Sequence, residues 1–149
     1  MSEIWFYQLN RQTLETALPA LIEKALAAGK RAVVMLGSEE RVEALDNLLW
    51  TYDERSFLPH GSARDGFAAA QPVWLTESDE NPNAAQILVL ADGAHSARVA
   101  EFERCLELFD GNDPAAVAAA RRRWKDYSAA GHEVAYWQQD ERGKWERKG

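Results

Sequence analysis

Cysteine is almost absent from this 149-residue chain, Cys105 being the only one. An intramolecular disulfide and a cysteine zinc cluster are therefore excluded. Cys105 sits in a largely apolar segment and reads as a small core residue. No apolar run approaches the roughly 20 residues that span a bilayer. The opening Met1-Ser2-Glu3-Ile4-Trp5 has neither the basic region nor the apolar core of a signal peptide. The expected location is the cytoplasm, without membrane contact. Positive charge is also in short supply: 17 Lys and Arg against 24 Asp and Glu leave a net charge of -7. That balance argues against a general nucleic-acid binder, because phosphates are ordinarily neutralised by a positively charged face.

Glycine is missing where a nucleotide would need it. There is no Gly-x-x-x-x-Gly-Lys-Ser/Thr run to cradle phosphates. The turn after the first strand is Asn10-Arg11-Gln12, and the turn after the second carries only Gly37, so no close-approach loop exists for a dinucleotide. His60, His95 and His132 are far apart, and none has a second ligand at metal spacing. Glu77-Ser78-Asp79-Glu80 reads as a polar surface loop rather than a metal site. No Gly-x-Ser-x-Gly elbow and no Cys/His pairing is visible. A non-catalytic protein without cofactor or metal is expected.

What is present is alternation. Ile4 to Leu9 reads as a strand, and Thr13 to Ala28 as a helix with Leu14, Leu18, Leu21, Ile22 and Ala25 on one face. Pro19 removes a hydrogen bond inside it, which places the regular helix from about Thr16, and Gly29 ends it. Arg31 to Leu36 is a strand buried on both faces. Ser38 caps a second helix that ends near Trp50. Asp53 to Gly66 is irregular. Strands follow at Pro72–Thr76, Gln86–Leu90 and about Glu103–Phe109, the last after a helical turn near His95–Ala100. Asp113 and Pro114 open a helix that stops at Gly131, and Glu133–Trp137 is a last strand. The pattern predicts one α/β domain over 1–138, Rossmann-like, with a mostly parallel sheet flanked by helices and no nucleotide-binding fingerprint. Residues 139–149 form a polar C-terminal tail, loose apart from Trp145.

One segment stands out against the acidic background. Arg121-Arg122-Arg123-Trp124-Lys125-Asp126-Tyr127 puts four cations into five positions. At helical spacing Arg121, Trp124 and Lys125 are neighbours. Together they offer a guanidinium fork, an ammonium and an indole, which suit a ligand with a carboxylate and an aromatic ring. A charge run on a helix is ordinarily just a solvated face, and direct DNA binding through 121–125 is a further alternative. Six tryptophans, Trp5, Trp50, Trp74, Trp124, Trp137 and Trp145, are many for this length, and Trp and Arg are enriched in binding hot spots.

Four segments, in order, resemble the chi subunit of bacterial DNA polymerase III: Ile4-Trp5-Phe6-Tyr7; Leu49-Trp50-Thr51-Tyr52 with Ser56-Phe57-Leu58-Pro59-His60; Ile87-Leu88-Val89-Leu90; and Arg121 to Tyr127 with Gly131. Tyr136-Trp137 and Trp145 fit as well. The resemblance implies a small adaptor on a Rossmann-type domain without a nucleotide site. It implies two partners: the psi subunit of the clamp-loader assembly, and the acidic C-terminal tail of single-stranded-DNA-binding protein, which ends in phenylalanine. Any association with DNA is then indirect. By similarity, Arg121 binds the terminal carboxylate, Lys125 supplies a point charge, and Trp124 walls the pocket for the phenylalanine ring. Arg122 and Arg123 point elsewhere and add long-range attraction. Where some relatives have a basic residue one turn earlier, this chain has Val117. Trp50 and Phe57 resemble the positions that bind psi; both also suit core plugs where a helix meets a loop.

Overall fold

Capping chemistry sets the helix boundaries. The structure, a computed structural model, describes residues 2–51, 60–62 and 66–148. Helix α1 spans Leu14–Ala27, α2 Glu39–Thr51 and α3 Pro114–Ala129. Ser38 Oγ accepts the Arg41 N–H at 3.2 Å, and Asp113 Oδ1 accepts the Ala115 N–H at 3.0 Å, each satisfying an orphan donor of the first turn. At the other ends, Gly29 and Gly131 adopt φ of 75° and 89°, a region closed to most side chains. That turn lets the Lys30 N–H reach the Ala25 carbonyl (3.0 Å) and the His132 N–H reach that of Tyr127 (3.1 Å), a Schellman closure.

The expectation that α1 begins near Thr16 is corrected. It begins at Leu14 and runs through Pro19. The proline forfeits one backbone bond, but the Ala17 N–H still reaches the Thr13 carbonyl at 3.0 Å, and the ring is buried beside Leu18 and Ile22. Burial of the apolar face outweighs one missing bond.

Among the described residues, eight strands form one sheet: β1 (Glu3–Leu9), β2 (Ala32–Met35), β3 (Gly61–Ser62), β4 (Val73–Thr76), β5 (Ile87–Leu90), β6 (Arg104–Asp110), β7 (Glu133–Gln139) and β8 (Trp145–Arg147). Short 3₁₀ turns lie at Ala68–Ala70 and Val99–Glu101. The spatial order is β3-β4-β2-β5-β6-β1-β7-β8. All neighbours are parallel except β7 and β8. The first strand is thus interior, between β6 and β7. Residues 139–149 are not uniformly loose, as expected, since β8 pairs with β7 and Trp145 faces Gln139. Trp145 packs edge-on against Tyr7 at 5.0 Å, and that aromatic contact anchors an otherwise polar segment.

Helices cover the two faces unequally. Leu18, Leu21 and Ile22 of α1 and Val42, Leu45 and Leu49 of α2 share one core with Tyr7, Leu9, Val34, Val89 and Leu106. Near β7 this face is finished by Trp5 and Trp137, 5.4 Å apart, with the Arg104 guanidinium 3.9 Å over Trp5. On the opposite face, Ala120 and Tyr127 of α3 pack with Ile4, Phe6, Val33, Leu88, Cys105 and Phe109. The acidic loop is not merely solvated: Glu80 accepts from Trp74 Nε1 (2.9 Å) and Thr76 Oγ1 (2.8 Å), and Asp79 from Ser96 Oγ (2.5 Å).

A single carboxylate interrupts β6. Glu107 is 2% exposed and is ion-paired with Arg123 of α3. Burial raises the Glu107 carboxyl above its ordinary value, and the Arg123 charge opposes the rise. The folded state therefore binds a proton on Glu107 more tightly than the unfolded chain does. Its contribution to stability is complete below the ordinary carboxylate range and is lost as pH rises through the raised value. Relative to Glu107→Gln, wild type is expected to lose stability as pH rises from about 4 to about 8. Urea unfolding of both proteins at both pH values measures this. For β8, Trp145→Ala is expected to accelerate hydrogen exchange at the Lys148 amide about tenfold, the scale of one aromatic contact. That amide is bonded to the Tyr136 carbonyl.

Candidate functional site

Helix α3 carries three different surfaces, set by its 100° step per residue. Val117, Ala120, Trp124 and Tyr127 belong to the core beneath it. Ala116, Ala119 and Arg123 line a cleft on the β5–β6 side. Arg121 and Lys125 lie on the remaining surface, both exposed. Neither they nor Arg122 form an ion pair among the described residues. The sequence grouped Arg123 with the outlying cations. Its pairing with Glu107 removes it from that group, because a buried carboxylate demands a partner.

Trp124 is half-buried. Its ring centroid lies 5.7 Å from Phe6 and 5.9 Å from Tyr136, edge-on to it. Tyr136 is half-buried on the α3 face of β7 and also meets Phe109 at 6.0 Å. Its hydroxyl donates to Gln8 Oε1, which also accepts from Gln138 Nε2 at 3.2 Å. Burial raises the Tyr136 phenol, while the Gln138 amide and the Arg121 charge act to lower it. Val117 packs against the same cluster. The result is an aromatic and aliphatic surface of Val117, Trp124 and Tyr136, with the Arg121 charge bearing on it. Spacing in the sequence singles out Arg121, Trp124 and Lys125 but not Tyr136. The alternation of β7 puts Val134 and Tyr136 on one face, yet nothing local says that α3 covers that face.

The strand ends hold a second concavity. A cleft of about 640 Å³ opens where α1 and α3 leave the sheet for opposite faces, lined by Asn10, Arg11, Gln12, Thr13 and Gly93 among others. Such switch points hold nucleotides in related architectures. Here Glu15, Asp92, Asp110 and Asp113 line it, and Arg41 spans from Glu15 to Asp92, at 2.9 Å to each. Carboxylates at the rim oppose a phosphate, and the Gly-rich loop is missing.

Trp50, at the end of α2, is 51% exposed, with its ring 4.5 Å from that of buried His60. It is not a core plug. Phe57 lies outside the described residues. Phe67, which the sequence reading passed over, is 83% exposed at φ 55°. His60 Nε2 sits 3.1 Å from Asp46 Oδ1, and His132 Nδ1 accepts the Ser2 N–H at 3.3 Å.

Comparison with known proteins gives the family. Residues 1–135 match the family model described as DNA polymerase III chi subunit, HolC. A protein of Rickettsia prowazekii (strain Madrid E) named probable DNA polymerase III subunit chi is 29% identical over 109 residues, 73% of this chain and 66% of the relative. The DNA polymerase III subunit chi of Escherichia coli (strain K12) is 24% identical over 139 residues, 88% of this chain and 94% of the relative. With an interior first strand, an eight-stranded α/β sheet and a family match over nearly its whole length, the chain belongs to the DNA polymerase III chi subunit family.

Proposed function

We propose that the chain is a non-catalytic adaptor of the polymerase III assembly, joining the clamp-loader complex to the acidic C-terminal tail of single-stranded-DNA-binding protein. The observation that carries this reading is the pair of exposed, unpaired cations Arg121 and Lys125 beside the Trp124–Tyr136 surface, in a chain of net charge -7. A terminal carboxylate fits the Arg121 fork, and an aromatic side chain fits the rings next to it. Lys125 meets upstream aspartates as a point charge. Val117 adds apolar contact where some relatives carry charge. The mechanism is tethering, which raises the local concentration of the loading machinery at coated single strands. In the same reading, psi or another partner docks at Trp50 and Phe57, and the protein works in the cytoplasm. No helix among the described residues is long and apolar enough to cross a membrane.

The test is binding of a labelled peptide ending Asp-Asp-Ile-Pro-Phe, with and without a free C-terminal carboxylate. Binding that disappears on amidation supports the adaptor; equal affinity for both forms, or none for either, sinks it. Arg121→Ala is expected to weaken binding about ten- to a hundredfold, the scale of lost charge-assisted hydrogen bonds. Because Arg121 is exposed, its unfolding free energy should stay within about 0.5 kcal/mol of wild type. A naked single-stranded oligonucleotide, titrated at two salt concentrations, distinguishes direct DNA binding, which would weaken steeply with salt.

A further inference from the structure

We propose that Glu107, on β6, is a positioning residue for the ligand surface of α3: through its ion pair with Arg123 it fixes the rotation and slide of the helix, and with them the outward aim of Arg121. This role rests on the adaptor reading above and adds to it the element that holds the site in shape.

The underside of α3 specifies little by shape. Its first two turns read Pro114-Ala115-Ala116-Val117-Ala118-Ala119-Ala120, and what they bring to the core is Val117 and the methyl group of Ala120. Methyl groups make shallow ridges, and shallow ridges hold a crossing angle and a depth loosely. Further along, Trp124 and Tyr127 both meet the Phe6 ring, with centroids at 5.7 Å and 6.1 Å. Ring pairs are favourable over separations from about 4.5 to about 7 Å, so they too permit a shift. The Tyr127 hydroxyl is buried with no hydrogen-bond partner among the described residues and supplies no polar tie.

The polar tie is Arg123 to Glu107. Among the described residues it is the single side-chain hydrogen bond from Pro114–Ala129 to the sheet. Glu107 is almost fully buried on an interior strand, between β5 and β1, so its carboxylate can find a cation only from the helix above. The run Arg121-Arg122-Arg123 offers three, about 100° apart around the helix. Pairing with Arg123 leaves Arg121, about 200° away, on the outer surface. Pairing with either of the others would turn Trp124 off Phe6 and Tyr136. A desolvated ion pair adds little net stability, yet breaking it is costly, and this asymmetry lets it select one packing among near-equals.

The experiment removes the pair without removing the packing. Glu107→Leu with Arg123→Met replaces it by apolar side chains of comparable size. The thermal midpoint is expected to equal or exceed that of wild type. The Asp-Asp-Ile-Pro-Phe peptide with a free carboxylate is expected to bind about tenfold more weakly. Arg122→Met, which removes one exposed cation and leaves the pair, is expected to bind within about threefold of wild type. The decisive readout is coupling to Arg121. In wild type Arg121→Ala weakens the peptide about ten- to a hundredfold. In the double variant it is expected to weaken it less than about threefold, because the fork no longer meets the carboxylate. A role confined to stability would leave the Arg121 effect at full size.

Peptide affinity within about threefold of wild type in the double variant, or an Arg121→Ala effect of full size there, overturns the proposal. Should these substitutions abolish the cooperative thermal transition, Glu107→Met with Arg123→Leu carries the same cycle. The wild-type arm separates the two ideas. If wild type ignores the free carboxylate, the adaptor reading fails and this proposal with it. If wild type requires the carboxylate but the double variant keeps the Arg121 effect, only this proposal fails.

Discussion

The ion pair between Arg123 and Glu107 determines how α3 lies on the sheet. A carboxylate in the interior strand β6 cannot be left alone, because desolvating an unpaired charge costs far more than a hydrogen bond returns. Arg123 must therefore face the sheet on the β6 side. At 100° per residue this leaves the helix no rotational choice. Ala120 and Tyr127 fall into the core, and the rim bearing Val117, Arg121 and Trp124 turns toward β7. Desolvated ion pairs are weak sources of net stability. The consequence of this one is geometrical: it fixes which side chains of α3 face the sheet and which face outward.

Charge is distributed to the same end. The cleft at the strand ends, where this architecture ordinarily holds a nucleotide, is lined by Glu15, Asp92, Asp110 and Asp113. On α3, Arg121, Arg122 and Lys125 form no ion pair among the described residues. A local run of cations on an otherwise acidic protein gives the surface an uneven field, and such unevenness acts more on the orientation of an encounter than on affinity.

Much of this was legible in the sequence. Period-2 and period-3.6 patterns gave the strands and helices, and Gly29, Gly131, Ser38 and Asp113 marked their ends for reasons the hydrogen bonds bear out. Arg121, Trp124 and Lys125 could be singled out because their spacing alone makes them neighbours. What stayed hidden depends on distant pairing. Arg123 looked like its neighbours until Glu107, sixteen residues away, was placed opposite it. That Tyr136 adjoins Trp124 follows only from α3 covering its face of β7. β8 was missed because Trp145 has no local apolar companion; its partner, Tyr7, is at the other end of the chain. Pro19 misled in the opposite direction, since a local rule about helix interiors yielded to tertiary burial.

The place of β1 between β6 and β7 has a consequence for how the molecule is made. Glu3 bonds to Arg104, 101 residues further on, and Ser2 to His132, 130 residues further on. Synthesis proceeds from the N-terminus, so β1 leaves the ribosome long before either flanking strand exists. For most of translation its tryptophan, phenylalanine and tyrosine have no native place to go. The sheet closes only when the last helix and strand have emerged. Pairings of such long sequence separation are slow and leave strand edges open meanwhile, so both edges of β1 stay unpaired until β6 and then β7 have been made.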